Sequence, residues 1–226
     1  MSVSTGKNKY KYRLVSHYNS NPIITEAYRT LRTNIQFASG NHEIKTLLVT
    51  STIPNEGKST TISNLAMTYA EMNKKVLLID ADLRRPTLHR IFSSSTRFGL
   101  SNLLTNQCKL EDAITETFVP NLSLITSGPL ISNPYELLGS NRVEELLNQL
   151  KPLYDMILID SSPVLAVSDS QLLSVKCDGV LYVINYGKVK RAAAQKAITS
   201  LSHAEANVLG VVINNKKRID HEAAYY

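Results

Sequence analysis

The sequence predicts an α/β fold in which a parallel sheet is covered by helices on both faces. Short, almost uninterrupted apolar runs alternate with stretches of helical periodicity. Strands buried on both faces carry such runs, and parallel strands need helical crossovers. The first run leads straight into a loop and a helix, in "TLLVTSTIPNEGKSTT", and two later runs, "KVLLID" and "MILID", end in aspartate. Ligands of such sheets sit at the carboxyl ends of the strands, so these ends are where chemistry is expected.

In chain order, residues 1–21 are polar and basic and read as a flexible tail. "NPIITEAYRTLRTNIQFA" reads as a helix starting at Asn21 or Thr25. Strands are expected at 46–51, 75–80, 121–126, 156–160, 179–184 and 208–214. Helices are expected over "KSTTISNLAMTYAEMN" and "NRVEELLNQLKPLY". With no internal repeat or low-complexity linker, residues 22–216 read as one domain and 217–226 as a C-terminal tail.

The net charge of +6 is concentrated in residues 7–13 and 216–218. These are either solvated tails or a means of attraction to an anionic surface, membrane leaflet or phosphorylated partner. Nucleic acid is not expected as a partner, because basic and aromatic residues do not interleave along a face. No apolar run reaches the roughly 18–20 residues that span a bilayer, and the polar N-terminus does not resemble a secretory signal. Cys108 and Cys177 lack metal-ligand spacing and read as reduced, buried thiols of a cytosolic protein.

The phosphate-loop pattern G-x-x-x-x-G-K-[ST] is met at Gly57, Lys58 and Ser59, while Thr52 stands at the first glycine and Asn55 in mid-turn. Cradling a phosphate takes inward main-chain N–H groups, a helix N-terminus and a cation. The run Asn55, Glu56, Gly57, Lys58, Ser59, Thr60 supplies all three. Gly57 lets the main chain approach, Lys58 reaches the β- and γ-phosphates, and Ser59 ligates Mg²⁺. Asparagine is the next most tolerant residue after glycine at positive φ, whereas β-branched Thr52 is disfavoured in a tight turn. With Pro54 presetting part of the loop, a variant shape is expected. The strand–loop–helix context points to a working nucleotide site on a P-loop NTPase-type sheet.

Asp80 and Asp82, two residues apart, project to the same side of an extended chain. They are either spare carboxylates at the site or a turn and capping pair. Asp160 follows four apolar residues and reads as a carboxylate holding Mg²⁺ through water, or as a helix cap. Asn214, ending the last strand, can read an adenine edge or serve a turn. The guanine-reading pattern N-K-x-D is absent, since Arg218 follows Asn215, Lys216 and Lys217, so ATP is favoured over GTP. Phosphoryl transfer needs positioning, charge neutralisation and a carboxylate near the acceptor oxygen. Lys58, Ser59, Asp80, Asp82 and Asp160 form a coherent set for ATP and Mg²⁺.

"PNEGKST", "LLIDADLRRPTLH" and "ILIDSSP", with "SGPLISNPYELLGS" and "EAYRTLRTNI", together resemble the bacterial tyrosine kinases of capsule and exopolysaccharide clusters, within the deviant Walker motif superfamily. The resemblance covers roughly residues 22–216. It implies an ATP- and Mg²⁺-dependent protein-tyrosine kinase that phosphorylates C-terminal tyrosines of a neighbouring copy and regulates polysaccharide synthesis and export. On it, Lys58 and Ser59 match the Walker A lysine and Mg²⁺ ligand. Asp80 and Asp82 match a pair that binds Mg²⁺ and helps deprotonate the acceptor, with the base undivided between them, and Asp160 matches the Walker B aspartate. Glu26, Arg29 and Arg32 match a helix face that docks on a neighbour in a ring. At i, i+3 and i+6 they share one face, which by itself reads equally as solvated. The resemblance further implies a membrane activator protein of the polysaccharide co-polymerase type that recruits a cytoplasmic kinase to the inner face of the membrane, and a cognate tyrosine phosphatase.

Two departures accompany the resemblance: the loop residues Thr52 and Asn55, and a chain ending at "HEAAYY". Tyr225 and Tyr226 are the expected acceptors where members carry a longer cluster, and Tyr10, Tyr12 and Tyr18 are further candidates. The alternative reading is an ATPase switch or assembly scaffold of the same superfamily without protein phosphorylation. Partitioning and cluster-carrying relatives have a lysine near the loop start, where Ile53 and Pro54 stand here, and the cluster carriers also have a Cys-x-x-Cys pair, which does not occur here.

Overall fold

In the computed structural model the described residues are 14, 22–38, 40 and 43–216. The tails, with Asn21, Tyr10, Tyr12, Tyr18, Tyr225 and Tyr226, lie outside them. The elements run α1 (Pro22–Ala38), β1 (Thr46–Ser51), α2 (Lys58–Ala70), β2 (Val76–Asp80), α3 (Leu88–Ile91), α4 (Leu100–Leu104), α5 (Leu110–Ala113), β3 (Ile114–Glu116), β4 (Leu122–Ile125), α6 (Pro134–Gly139), α7 (Arg142–Leu150), β5 (Met156–Asp160), α8 (Asp169–Ser174), β6 (Gly179–Asn185), α9 (Arg191–His203) and β7 (Val208–Asn214). They build a seven-stranded sheet in the order β3-β4-β2-β5-β1-β6-β7. Every neighbouring pair is parallel except β3 with β4.

All six strands expected from the sequence are present, within a residue or so at each end. The short antiparallel strand β3 was not expected; three residues are too few to set up a visible period. The helix expected over 58–73 ends at Ala70, and Asn73 turns the chain at φ 57°. The helix expected over 141–154 ends at Leu150, just before Pro152, which cannot continue it.

Alternation along the strands divides the core into two layers. Leu47, Val49, Val76, Leu78, Met156 and Leu158 face α1 and α2, with Ile62 and Leu65 packed on them. Leu48, Leu77, Ile79, Ile157 and Ile159 face the other layer, where Leu138, Leu147 and Leu173 cover them. The parity has a direct consequence for the site. Asp80 continues the series 76, 78 and Asp160 the series 156, 158, so both point toward the α2 face. In the parallel pairing of β2 with β5 they are register partners. Strand order thus sets two carboxylates side by side beneath the helix that opens with Lys58.

α1 packs across α2 and the outer strand β7. Arg32 donates to the Thr68 carbonyl near the end of α2. Arg29 lies 3.7 Å from Glu26 and 3.6 Å from Glu71, with its side chain 49% exposed. Of the helix face read as a docking surface, Glu26 and Arg29 remain partly open, while Arg32 is tied into its own subunit.

Candidate active site

β1 delivers the phosphate loop, and the loop departs from the usual glycines without strain. Thr52 is fully buried just past the end of β1: its carbonyl accepts from Leu165 N–H, and its hydroxyl shares a 2.5 Å hydrogen bond with Tyr182. It is not among the positive-φ residues, so the first glycine's freedom is not needed there. Asn55 takes φ 66°, a left-handed turn that asparagine tolerates. Gly57 caps α2 at φ 91°, and a Cβ there would lie 2.0 Å from Asn214 Nδ2, so glycine is needed on both counts.

Glu56 was assigned to the nucleotide by its place in the loop, but its side chain does something else. It is 1% exposed, and its carboxylate accepts from Ile53 N–H at 2.7 Å and Asn185 N–H at 3.0 Å. It therefore clasps the loop to the end of β6, leaving only its main chain for a phosphate. Asn214 was expected to read an adenine edge or serve a turn. Its Nδ2 donates to the Glu56 carbonyl at 2.9 Å, and its Oδ1 accepts from Asn215 N–H. The amide holds the loop from below and turns the chain.

Lys58, at the first position of α2, places Nζ 3.0 Å from Asp82 Oδ2 and 3.4 Å from Asp160 Oδ1. Ser59 Oγ donates to Asp160 at 2.5 Å. Asp82 Oδ1 accepts from Arg85 N–H at 3.0 Å and from the Ser162 hydroxyl at 2.9 Å. Asp80 Oδ2 accepts from the Thr87 and Leu88 amides at 3.0 and 2.9 Å, while its Oδ1 is buried without a hydrogen-bond partner among the described residues. Each carboxylate of the pair thus fixes main-chain amides of the following segment, as in the turn and capping reading, and Asp82 also faces the lysine.

Lys58 is shared between Asp82 and Asp160, and the buried Asp80 lies beside Asp160 in the sheet register. Burial and the neighbouring Asp160 raise Asp80 to about 7. Burial likewise raises Asp160, against the pull of Lys58. For Asp82 burial works the same way, but Lys58 and the amide and hydroxyl donors outweigh it and hold the carboxyl low. Lys58 itself is raised, because the Asp160 and Asp82 charges overcome its burial. The lysine remains charged at the expense of one carboxylate's comfort.

Lys58 and Asp82 border a cavity of about 520 Å³, whose lining also includes Asn55, Ser59, Arg85 and Ser162. Ser162 and Arg85 were not singled out from sequence, although both lie inside quoted motifs. Arg84, also on the wall, grips the buried Asp169 at the start of α8 with two bonds, 2.7 and 3.2 Å, joining the segment after β2 to that after β5. Among the described residues no three carboxylate, imidazole or thiolate side chains converge as a ready metal cage. A hydroxyl and carboxylates completed by phosphate oxygens are what Mg²⁺ favours, and the orphan Asp80 Oδ1 adds a further hard oxygen nearby. The residues present fit that ion.

Fold and loop define a P-loop ATPase-type domain with strand-end carboxylates. The family model described as AAA domain matches residues 54–216. The chain is 43% identical to tyrosine-protein kinase YwqD of Bacillus subtilis (strain 168), over 89% of this chain and 86% of that one. It is 39% identical to putative tyrosine-protein kinase CapB of Staphylococcus aureus, covering 94% and 93% of the two chains. The crystal structure of the chimerical protein CapA2B2 superposes with TM-score 0.87 at 36% identity, covering 93% of this chain and 92% of that one. A more distant solved structure, the septum site-determining protein MinD of Pyrococcus horikoshii with Mg-ADP, has TM-score 0.66 at 25% identity, covering 78% and 72%. The chain belongs to the bacterial tyrosine-protein kinase family.

Proposed function

We propose that this chain is an ATP- and Mg²⁺-dependent protein-tyrosine kinase of capsule or exopolysaccharide synthesis that phosphorylates Tyr225 and Tyr226 of a second copy. The observation that carries the reading is the joint approach of Lys58, Ser59, Asp82 and Asp160 at the mouth of the phosphate loop, in a chain of this family. Lys58 and the 55–60 main chain hold the β- and γ-phosphates, while Asn214 and Glu56 keep that main chain in shape. Ser59, Asp82 and Asp160 would hold Mg²⁺, which neutralises charge developing on the phosphate oxygens. The tyrosine oxygen bonds to the γ-phosphorus as the bond to the β-phosphate oxygen breaks, and ADP leaves.

Asp82 lines the cavity and is the carboxylate that meets the acceptor hydroxyl and takes its proton. Asp80 is wholly buried and positions the 82–88 segment through the Thr87 and Leu88 amides. The partly open Glu26 and Arg29 on α1 support a contact between copies in a ring. Among the described residues no helix is long and apolar enough to cross a membrane, and the reading gives this chain a membrane activator whose cytoplasmic tail recruits it to the inner face. A cognate phosphatase completes the cycle: added phosphates carry close to two negative charges each and oppose redocking of the tail.

The test is incubation with ATP and Mg²⁺, alone and with the activator's cytoplasmic tail, with phosphotyrosine read by mass spectrometry. Phosphate on Tyr225 or Tyr226 that disappears in Lys58→Met is the expected result. ATP turnover with no phosphotyrosine on any chain would instead establish a switch or scaffold.

A further inference from the structure

A second cavity, also about 520 Å³, adjoins the nucleotide cavity and shares Arg84, Arg85 and Thr87 with it. The segment that follows β2 supplies one wall, through His89 and Arg90, and the 127–130 loop the other. Its chemistry is that of an anion site with an apolar lip. Arg84 is already committed to Asp169, but neither Arg85 nor Arg90 has a carboxylate partner among the described residues. Two buried polar atoms of the lining, Thr87 Oγ1 and His89 Nδ1, have no hydrogen-bond partner among the described residues. His89 Nε2 accepts from Arg90 Nε–H at 3.3 Å, which leaves the proton of the neutral ring on Nδ1, as a donor. Leu130, 72% exposed, stands at the rim.

We propose that this cavity docks carboxylate side chains lying a few residues before an acceptor tyrosine, and so selects acidic acceptor segments. The inference rests on the kinase reading above, since it gives that reaction its acceptor class. The occupant argued for is the chain's own segment "DHEAAYY", residues 220–226, from a second copy. Asp220 and Glu222 precede Tyr225 by five and three residues, which is about 17 and 10 Å of extended chain. The two cavities share a wall, so the tyrosine can enter beside Asp82 while the carboxylates meet Arg85 and Arg90. The side chains of Ala223 and Ala224 between them are small enough not to obstruct docking at the shared wall. Charge complementarity of this kind selects partners and falls with ionic strength.

The test uses the full chain, with binding followed by fluorescence anisotropy of labelled peptides. DHEAAFF, which cannot be phosphorylated, is compared with its neutral counterpart NHQAAFF, on the unaltered protein and on Arg90→Gln and Arg90→Lys. Arg90 lines only the second cavity and is exposed, so nucleotide binding and folding should not change. The acidic peptide should bind on the order of tenfold more tightly than the neutral one. Arg90→Gln should remove most of that preference and Arg90→Lys should keep most of it. Equal binding of the two peptides, or a preference untouched by Arg90→Gln, overturns the proposal. So does a doubly tyrosine-phosphorylated peptide that alone shows Arg90-dependent binding, since the cavity would then hold product phosphate. Selectivity without any phosphotyrosine formation in ATP leaves the docking cavity standing and removes the kinase reading; phosphotyrosine formation without selectivity does the reverse.

Discussion

The two rims of the sheet use the same residue type in opposite ways. At the amino rim, Asp178 accepts from the Lys45 and Thr46 amides at 3.0 and 2.7 Å and from Lys151 Nζ at 3.2 Å. Asp155 there accepts from Lys75 N–H at 2.8 Å. Each of these carboxylates closes a strand start and finds its donors, and for Asp178 those bonds outweigh its burial and hold the carboxyl below its ordinary range. At the carboxyl rim, Asp80 and Asp160 are register partners that repel, both fully buried, with one lysine serving Asp82 and Asp160. The amino rim is built for stability. The carboxyl rim holds charge in an unfavourable setting, which a bound cation would relieve, and local rules are commonly broken at such functional sites.

The largest effect expected on this contrast comes from Lys58→Met. It leaves Asp82 and Asp160 buried without their cation, so phosphotyrosine formation should fall on the order of 10³-fold. Stability should fall by about 3–5 kcal/mol, as for any buried pair deprived of one partner. Turnover and thermal melting check this, and an unchanged melting temperature would break the picture of a strained rim. Relieving the repulsion from the other side, Asp80→Asn should raise the melting temperature while slowing phosphorylation.

Next comes the clasp under the loop. Glu56→Gln sets an amide group against a main-chain N–H and should cost about 1.5–3 kcal/mol of stability, the range for a hydrogen bond to a charged group. Nucleotide affinity, measured by titration calorimetry, should weaken by roughly tenfold as the loop loosens, since 1.4 kcal/mol corresponds to that factor.

A smaller effect is expected at the amino rim. Asp178→Asn should lose about 1 kcal/mol at neutral pH, seen as a lower denaturation midpoint. The sign of its pH dependence follows from the depressed carboxyl. The charged form stabilises the fold above the ordinary carboxylate range, and that contribution disappears as pH falls through the lowered folded value. The variant and the parent should therefore converge in acid. A gap that persists there would mean the rim is held by something other than this charge.

The smallest effect concerns a single backbone angle. Asn55→Ala should cost about 1 kcal/mol because alanine tolerates the left-handed turn poorly, whereas Asn55→Gly should stay within a few tenths. Thermal melts of the two variants decide it.

Much of this was written locally. Apolar runs, turn residues and the strand–loop–helix context set the strands and the phosphate loop and marked Lys58, Ser59, Asp80, Asp82 and Asp160 as candidates for its chemistry, because strand period, helix capping and φ tolerance act over a few residues. β3 left no signal because it is shorter than a readable period. What only the tertiary structure decided is who stands beside whom. Placing β5 between β1 and β2 made Asp80 and Asp160 neighbours and let both lean toward Lys58. Glu56 was turned from the nucleotide into a clasp, and Asn214 was set beneath the loop. The cavity at Arg90 exists because the segment after β2 meets the 127–130 loop. Strand order is settled by which faces bury together over the whole chain, and no short stretch of sequence carries that information.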